Sequence, residues 1–84
     1  MKIVFHKKFQ KAFSKQSKST QAKFKIVIQQ FSEDEFHSSL NNHTLLGKYK
    51  ILRSIDVTGD IRVHYKKESD TVVLVNIGTH SQLY

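Results

Sequence analysis

The chain has 84 residues, 38% of them hydrophobic and 25% charged, with a formal net charge of +7 and no cysteine or proline. This length gives a single domain spanning residues 1–84 with one small core layer and excludes a second domain, and the composition is that of a folded chain rather than a disordered one. Without cysteine there are no disulfides or thiolate metal sites, so packing alone must hold the fold.

Charge is unevenly spread: residues 1–32 hold eight lysines and no acid, whereas residues 33–84 are close to balanced. Such a basic half is the electrostatic footprint of a protein that meets a polyanion or an acidic protein partner. The apolar run Ile3-Val4-Phe5 is far too short for a signal-peptide core, and no stretch reaches bilayer length. A cytoplasmic location without a membrane partner is therefore expected.

Residues 2–5 read as a short strand. Phe9, Ala12, Phe13 and Gln16 then mark one face of a first helix, with lysines on the other. Ser17-Lys18-Ser19-Thr20 offers hydroxyl caps, after which Phe24, Val27, Ile28 and Phe31 repeat the i, i+3, i+4, i+7 stripe. The two amphipathic segments make a helical hairpin. Ser32 followed by Glu35 has capping-box spacing and predicts a third helical turn running to about Leu40. Asn41-Asn42-His43-Thr44 reads as a loop, and from Tyr49 onward alternation places Tyr49, Ile51, Arg53, Ile55 and Val57 on one side of a strand. Thr58-Gly59-Asp60 is a turn. The next strand sets Ile61, Val63 and Tyr65 against Arg62, His64 and Lys66, and Glu68-Ser69-Asp70 turns again. Val72 to Ile77, apolar except for Asn76, reads as a strand inside the sheet. The fold class is α+β, with the N-terminal helical hairpin packed on one face of a small, mainly antiparallel sheet and the opposite face left for binding.

Acid–base chemistry is concentrated near the end of the chain. His80 follows Gly78-Thr79 at the end of a strand, and Tyr84 lies four residues on, so one helical turn puts both on a single face. Arg62 alternates with apolar neighbours, and a guanidinium fixed on a sheet suits a phosphate, although an ion pair with Asp56 or Asp60 is the competing use. His64 shares its side of the strand. His43 stands in a loop with no evident core task, and Asp60 could orient a histidine or simply serve the turn. Paired metal-ligand spacings, a glycine-rich phosphate loop and a nucleophile elbow are all missing, so neither metal nor other cofactor is expected.

These motifs resemble the RelE/ParE toxin superfamily, and within it the YafQ-like branch of mRNA interferases. His43-Thr44-Leu45-Leu46-Gly47-Lys48-Tyr49 is similar to that branch's H-x-L-x-G-x-[WY], and Gly78-Thr79-His80-Ser81-Gln82-Leu83-Tyr84 to its G-T-H-x-x-L-[FY]. The resemblance implies a RelE-like fold with a twisted sheet, and a type II toxin that cleaves mRNA on the ribosome without a metal, restrained by a cognate antitoxin. It also implies His80 as acid, His43 or Asp60 as base or orienting group, Arg62 on the phosphorane and Tyr84 placing the nucleotide. Lys48, Lys50, Arg53 and His64 would add substrate contacts. One departure is Asp56, which stands where the branch has a further histidine and cannot act as a cationic phosphate ligand. A ParE-like toxin obstructing DNA gyrase, or an RNA-binding module without catalysis, is the alternative function on the same frame.

Overall fold

The computed structural model describes every residue from Met1 to Tyr84. Strand β1 (Lys2–Phe5) leads into helices α1 (Lys7–Ser14) and α2 (Lys18–Glu33). A 3-10 turn at Ser38–Leu40, strand β2 (His43–Thr44) and a second 3-10 turn at Gly47–Tyr49 follow, then β3 (Arg53–Asp56), β4 (Ile61–Glu68), β5 (Thr71–Thr79) and a closing helical turn α3 (His80–Leu83). The five strands form one sheet in the order β1-β5-β4-β3-β2, antiparallel except where β1 runs parallel to β5.

The hairpin forms as its apolar spacing predicts. The Ser17 side chain caps α2 by accepting from the Thr20 amide at 3.1 Å, and the Gln21 side chain donates to the Phe13 and Gln16 carbonyls where α1 ends. Phe9, Phe24, Val27 and Phe31 then join Ile55, Val63, Tyr65, Val72, Leu74 and Ile77 in one core. Phe9 meets Phe24 at 5.4 Å between ring centroids, and Phe31 meets Tyr65 edge-on at 5.0 Å. Contacts of this kind add about 0.5–1.5 kcal/mol each beyond the area they bury.

Three local expectations are corrected. Ser32 starts no new helix: α2 continues to Glu33, because nothing there breaks it and Phe31 anchors its last turn, and the Ser32 hydroxyl donates to the Gln29 carbonyl at 2.7 Å. The later turn at Ser38–Leu40 is capped by His37 instead. His43 and Thr44 are not loop but pair with Ser54 and Arg53. Alternation also does not begin at Tyr49. Gly47 adopts φ +64°, a conformation glycine takes at no steric cost, and opens a 3-10 turn that leaves Ile51 72% exposed.

A bulge sets the two faces of the sheet. Between His64 and Tyr65 the register with β5 skips Val75, since His64 pairs with Asn76 and Tyr65 with Leu74. Leu74 and Ile77, three residues apart, thereby both reach the core, which strict period-two alternation would forbid. The apolar run in β5 thus records a bulge as well as an interior strand. On the face away from the hairpin, the register gathers His43, Ser54, Asp56, Arg62 and His64.

Candidate active site

Strand β5 ends at Thr79, which begins α3 through a reciprocal cap: the Gln82 amide donates to the Thr79 hydroxyl at 3.3 Å, and the Thr79 amide donates to Gln82 Oε1 at 2.8 Å. Gly78 makes this tight turn possible, since a Cβ there would lie 2.7 Å from Gln82 Oε1 and 3.1 Å from Gln82 Cβ. The turn brings the His80 and Tyr84 rings together at 4.5 Å between centroids, as their four-residue spacing predicts.

Across the sheet, β2 carries His43 beside Ser54, and the β3–β4 turn carries Asp60 next to Arg62. An open cleft of about 360 Å³ joins these elements, lined by His43, Ser54, Gly59, Asp60, Arg62, Thr79, His80, Ser81 and Tyr84. All five expected acid–base and phosphate-binding residues therefore border one space. Ser54, Thr79 and Ser81 were not anticipated there. Their signals were present, because Thr79-x-x-Gln82 is a capping-box pattern and Ser54 alternates with the core residue Ile55.

The His43 ring is held in one tautomer. Its Nδ1 lies 2.8 Å from the Asn41 carbonyl oxygen, an acceptor only, so Nδ1 carries the hydrogen and the neutral ring leaves Nε2 as a free lone pair. Arg62 takes up the competing use weighed for it. Its Nε lies 2.8 Å from Asp56 Oδ1, a charge-to-charge approach without hydrogen-bond alignment, while Nη1 donates to the Thr58 and Gly59 carbonyls. Nη2 has no protein partner and is the free edge of the fork. Asp60, exposed, makes no ion pair with Arg62; its amide donates to the Thr58 hydroxyl at 3.2 Å.

His64 does not line the cleft. It is 2% exposed beneath Tyr84, whose hydroxyl lies 3.1 Å from His64 Nε2, with Tyr49 packed edge-on to Tyr84 at 5.1 Å. Burial lowers the imidazole to about 4, and the nearby charges of His43, His80 and Lys8 push the same way. Burial and Tyr49 push the Tyr84 phenol up. Near neutral pH both partners are uncharged, so His64 supports Tyr84 from below, outside the lining of the cleft.

Arg53 is likewise withdrawn from the site. It pairs with Tyr65 on the hairpin side of the sheet, donates through Nε to Asn42 Oδ1 at 2.8 Å and stacks over Phe36 at 5.2 Å. Lys48 sits over the Tyr49 ring at 5.2 Å, on the flank of the Tyr49–Tyr84 pair, and Lys50 is exposed without an ion-pair partner. No group of three His, Cys, Asp or Glu residues is placed to hold a metal ion. No helix is long and apolar enough to cross a membrane.

The family described as a bacterial toxin of type II toxin-antitoxin systems, YafQ, matches residues 1–84. Among solved structures, YafQ from E. coli superposes with a TM-score of 0.83 at 20% identity, covering 98% of this chain and 96% of that one. In the E. coli DinJ-YafQ toxin-antitoxin complex, the matching chain gives a TM-score of 0.80 at 21% identity over 98% of this chain and 94% of its own. The Helicobacter pylori protein HP0894 gives 0.73 at 27% identity, covering 100% and 99%. No curated protein matches by sequence.

Proposed function

Because the chain belongs to the YafQ family of type II toxin–antitoxin toxins, we propose that it is an endoribonuclease that cleaves mRNA on the ribosome by acid–base catalysis, restrained by a cognate antitoxin. The observation that carries this reading is the placement of His43, Asp60, Arg62 and His80 around one open cleft.

In the proposed reaction His43, with its hydrogen on Nδ1, uses the Nε2 lone pair to take the proton of a ribose 2'-hydroxyl. The resulting oxygen attacks the adjacent phosphorus. His80, on the opposite wall, protonates the departing 5'-oxygen, leaving a 2',3'-cyclic phosphate and a 5'-hydroxyl. The free Nη2 edge of Arg62 meets the charge that grows on the non-bridging oxygens. Tyr84, fixed by His64 and Tyr49, offers a ring face to a base. Every proton in this scheme moves between substrate and side chains of the chain itself. Asp60, on the border of the same cleft, is assigned in this scheme to orient or hold a cationic histidine.

The basic half of the chain supports an RNA substrate. None of its eight lysines forms an ion pair. Lys8, Lys11 and Lys15 line a groove of about 430 Å³ with Gln16, Asn76 and Gln82, on the other flank of α3 from the catalytic cleft. Induced expression with RNA-end mapping on programmed ribosomes tests the reading. The wild type leaves cyclic-phosphate ends, and His80→Ala and His43→Ala each cut about 10²–10⁴-fold more slowly. Cleavage at the wild-type rate by both variants, or growth arrest with intact RNA and stalled replication, overturns it.

A further inference from the structure

The residue before His43 belongs to a buried polar network on the other side of the sheet. Asn42 Nδ2 donates to the Tyr65 hydroxyl at 2.7 Å and to the Glu35 carbonyl at 3.1 Å, and its Oδ1 accepts from Arg53 Nε at 2.8 Å. Tyr65 in turn donates to Glu35 Oε2 at 2.9 Å, and Lys67 donates to Glu35 Oε1 at 2.6 Å. The Glu35 carboxylate is thus charge-paired and doubly hydrogen-bonded, which permits its burial at 9% exposure. Burial, with Glu35 acting in the same sense against the Asn42 bond, pushes the Tyr65 phenol up to about 12, so Tyr65 remains a donor.

This network answers a local problem. β2 has only two residues, pairs on one side only and lies at the edge of the sheet, so its ladder offers little resistance to fraying. Asn41, just ahead of it, holds φ +48°, a strained left-handed conformation for a residue with a side chain. The Asn41 carbonyl, in that conformation, is the acceptor that fixes the His43 tautomer. Asn42 lies between the two and is the one residue of the segment whose side chain is clamped at both its donor and its acceptor ends.

We propose that Asn42 is a positioning residue for His43: bound to Tyr65, Glu35 and Arg53, it pins β2 from the hairpin side so that the ring meets the Asn41 carbonyl and the neutral imidazole carries its hydrogen on Nδ1. The catalytic consequence rests on the nuclease reading above, whereas the tautomer does not. Asn42 touches no substrate in this scheme. It acts through His43 alone.

Long-range ¹H–¹⁵N spectra of the free, ¹⁵N-labelled toxin report the tautomer of each histidine without any catalysis. Wild-type His43 shows the Nδ1–H pattern. In Asn42→Ala that pattern averages between tautomers, and in cleavage assays kcat falls about tenfold to hundredfold with KM unchanged within about twofold. Arg53→Met removes one of the three bonds, keeps the apolar stem over Phe36, and gives a smaller change of the same kind; it decides the matter if Asn42→Ala does not fold. Val27→Ala, a core truncation in α2 that removes none of the network's hydrogen bonds, loses stability but retains the His43 pattern. The proposal is overturned if His43 keeps its Nδ1–H pattern in the foldable Asn42 and Arg53 variants, or if Val27→Ala disturbs it equally. A wild type that cuts no RNA refutes the nuclease reading and leaves the tautomer result to decide this one.

Discussion

Lowering the pH from 7 to 4 destabilises this fold through His64. In the unfolded chain its imidazole titrates at the ordinary value of 6.5, whereas in the folded protein burial holds it at about 4. Between those values the unfolded state binds a proton that the folded state refuses, so stability falls as pH drops through that window and is fully present above 6.5. A shift of this size corresponds to about 3 kcal/mol at about 1.36 kcal/mol per unit. Stability of a small domain is about 5–15 kcal/mol, so the loss is a large fraction of the total. The assay is urea unfolding of the wild type and His64→Gln at intervals from pH 7 to pH 4. Glutamine keeps a polar partner for the Tyr84 hydroxyl but does not titrate, so it is less stable at pH 7 by a constant amount and loses about 3 kcal/mol less on acidification. Equal pH slopes for the two proteins would refute the assignment of His64 as a buried neutral histidine.

Other perturbations separate fold from site. Gly78→Ala forces the new methyl against Gln82 and opens the cap of α3, costing about 1–2 kcal/mol in urea unfolding; RNA cleavage falls further than that loss of stability explains, because α3 carries both His80 and Tyr84. Phe31→Ala removes a fully buried ring packed on Tyr65 and costs about 3–5 kcal/mol, read as a drop in the thermal midpoint by circular dichroism. Asp56→Asn removes the countercharge of a partly exposed Arg62, worth about 0.5–1 kcal/mol, so KM for RNA falls about two- to fivefold; an unchanged KM would show that the pair does not restrain the guanidinium.

Different parts of the fold were legible to different depths. The hairpin was legible because Phe9, Phe13, Phe24, Val27 and Phe31 recur at helical spacing and every one of them packs inward or against the core. His80 and Tyr84 were legible because a four-residue spacing has only one meaning on a helical turn. Arg53 shows where two readings diverged: the resemblance implied a substrate contact, yet its alternation with Ile55 and Val57 already set it on the hairpin side, where it pairs with Tyr65. His64 was placed on the correct face, but its burial depends on Tyr84 folding back over it from twenty residues away. The Val75 bulge and the Asn42 network lay beyond local pattern altogether, because each exists only through partners brought together by the sheet.

The Asp56–Arg62 pair bears on where the proposed nuclease gains its rate. A phosphodiester carries one negative charge, and the phosphorane formed on the way to cleavage carries a second. Arg62 is paired with Asp56 before substrate arrives, so its attraction for the ground state is weakened and grows as charge accumulates on the phosphorus oxygens. An interaction stronger in the transition state than in the bound substrate is the kind that raises kcat rather than affinity alone. On this reasoning aspartate at position 56, where the family pattern has histidine, costs ground-state grip more than turnover. In the proposed reaction the ground-state grip then falls to the unpaired lysines of residues 1–32, and affinity for RNA is expected to weaken with salt. The proposed reaction thereby divides affinity and chemistry between two surfaces that meet at α3.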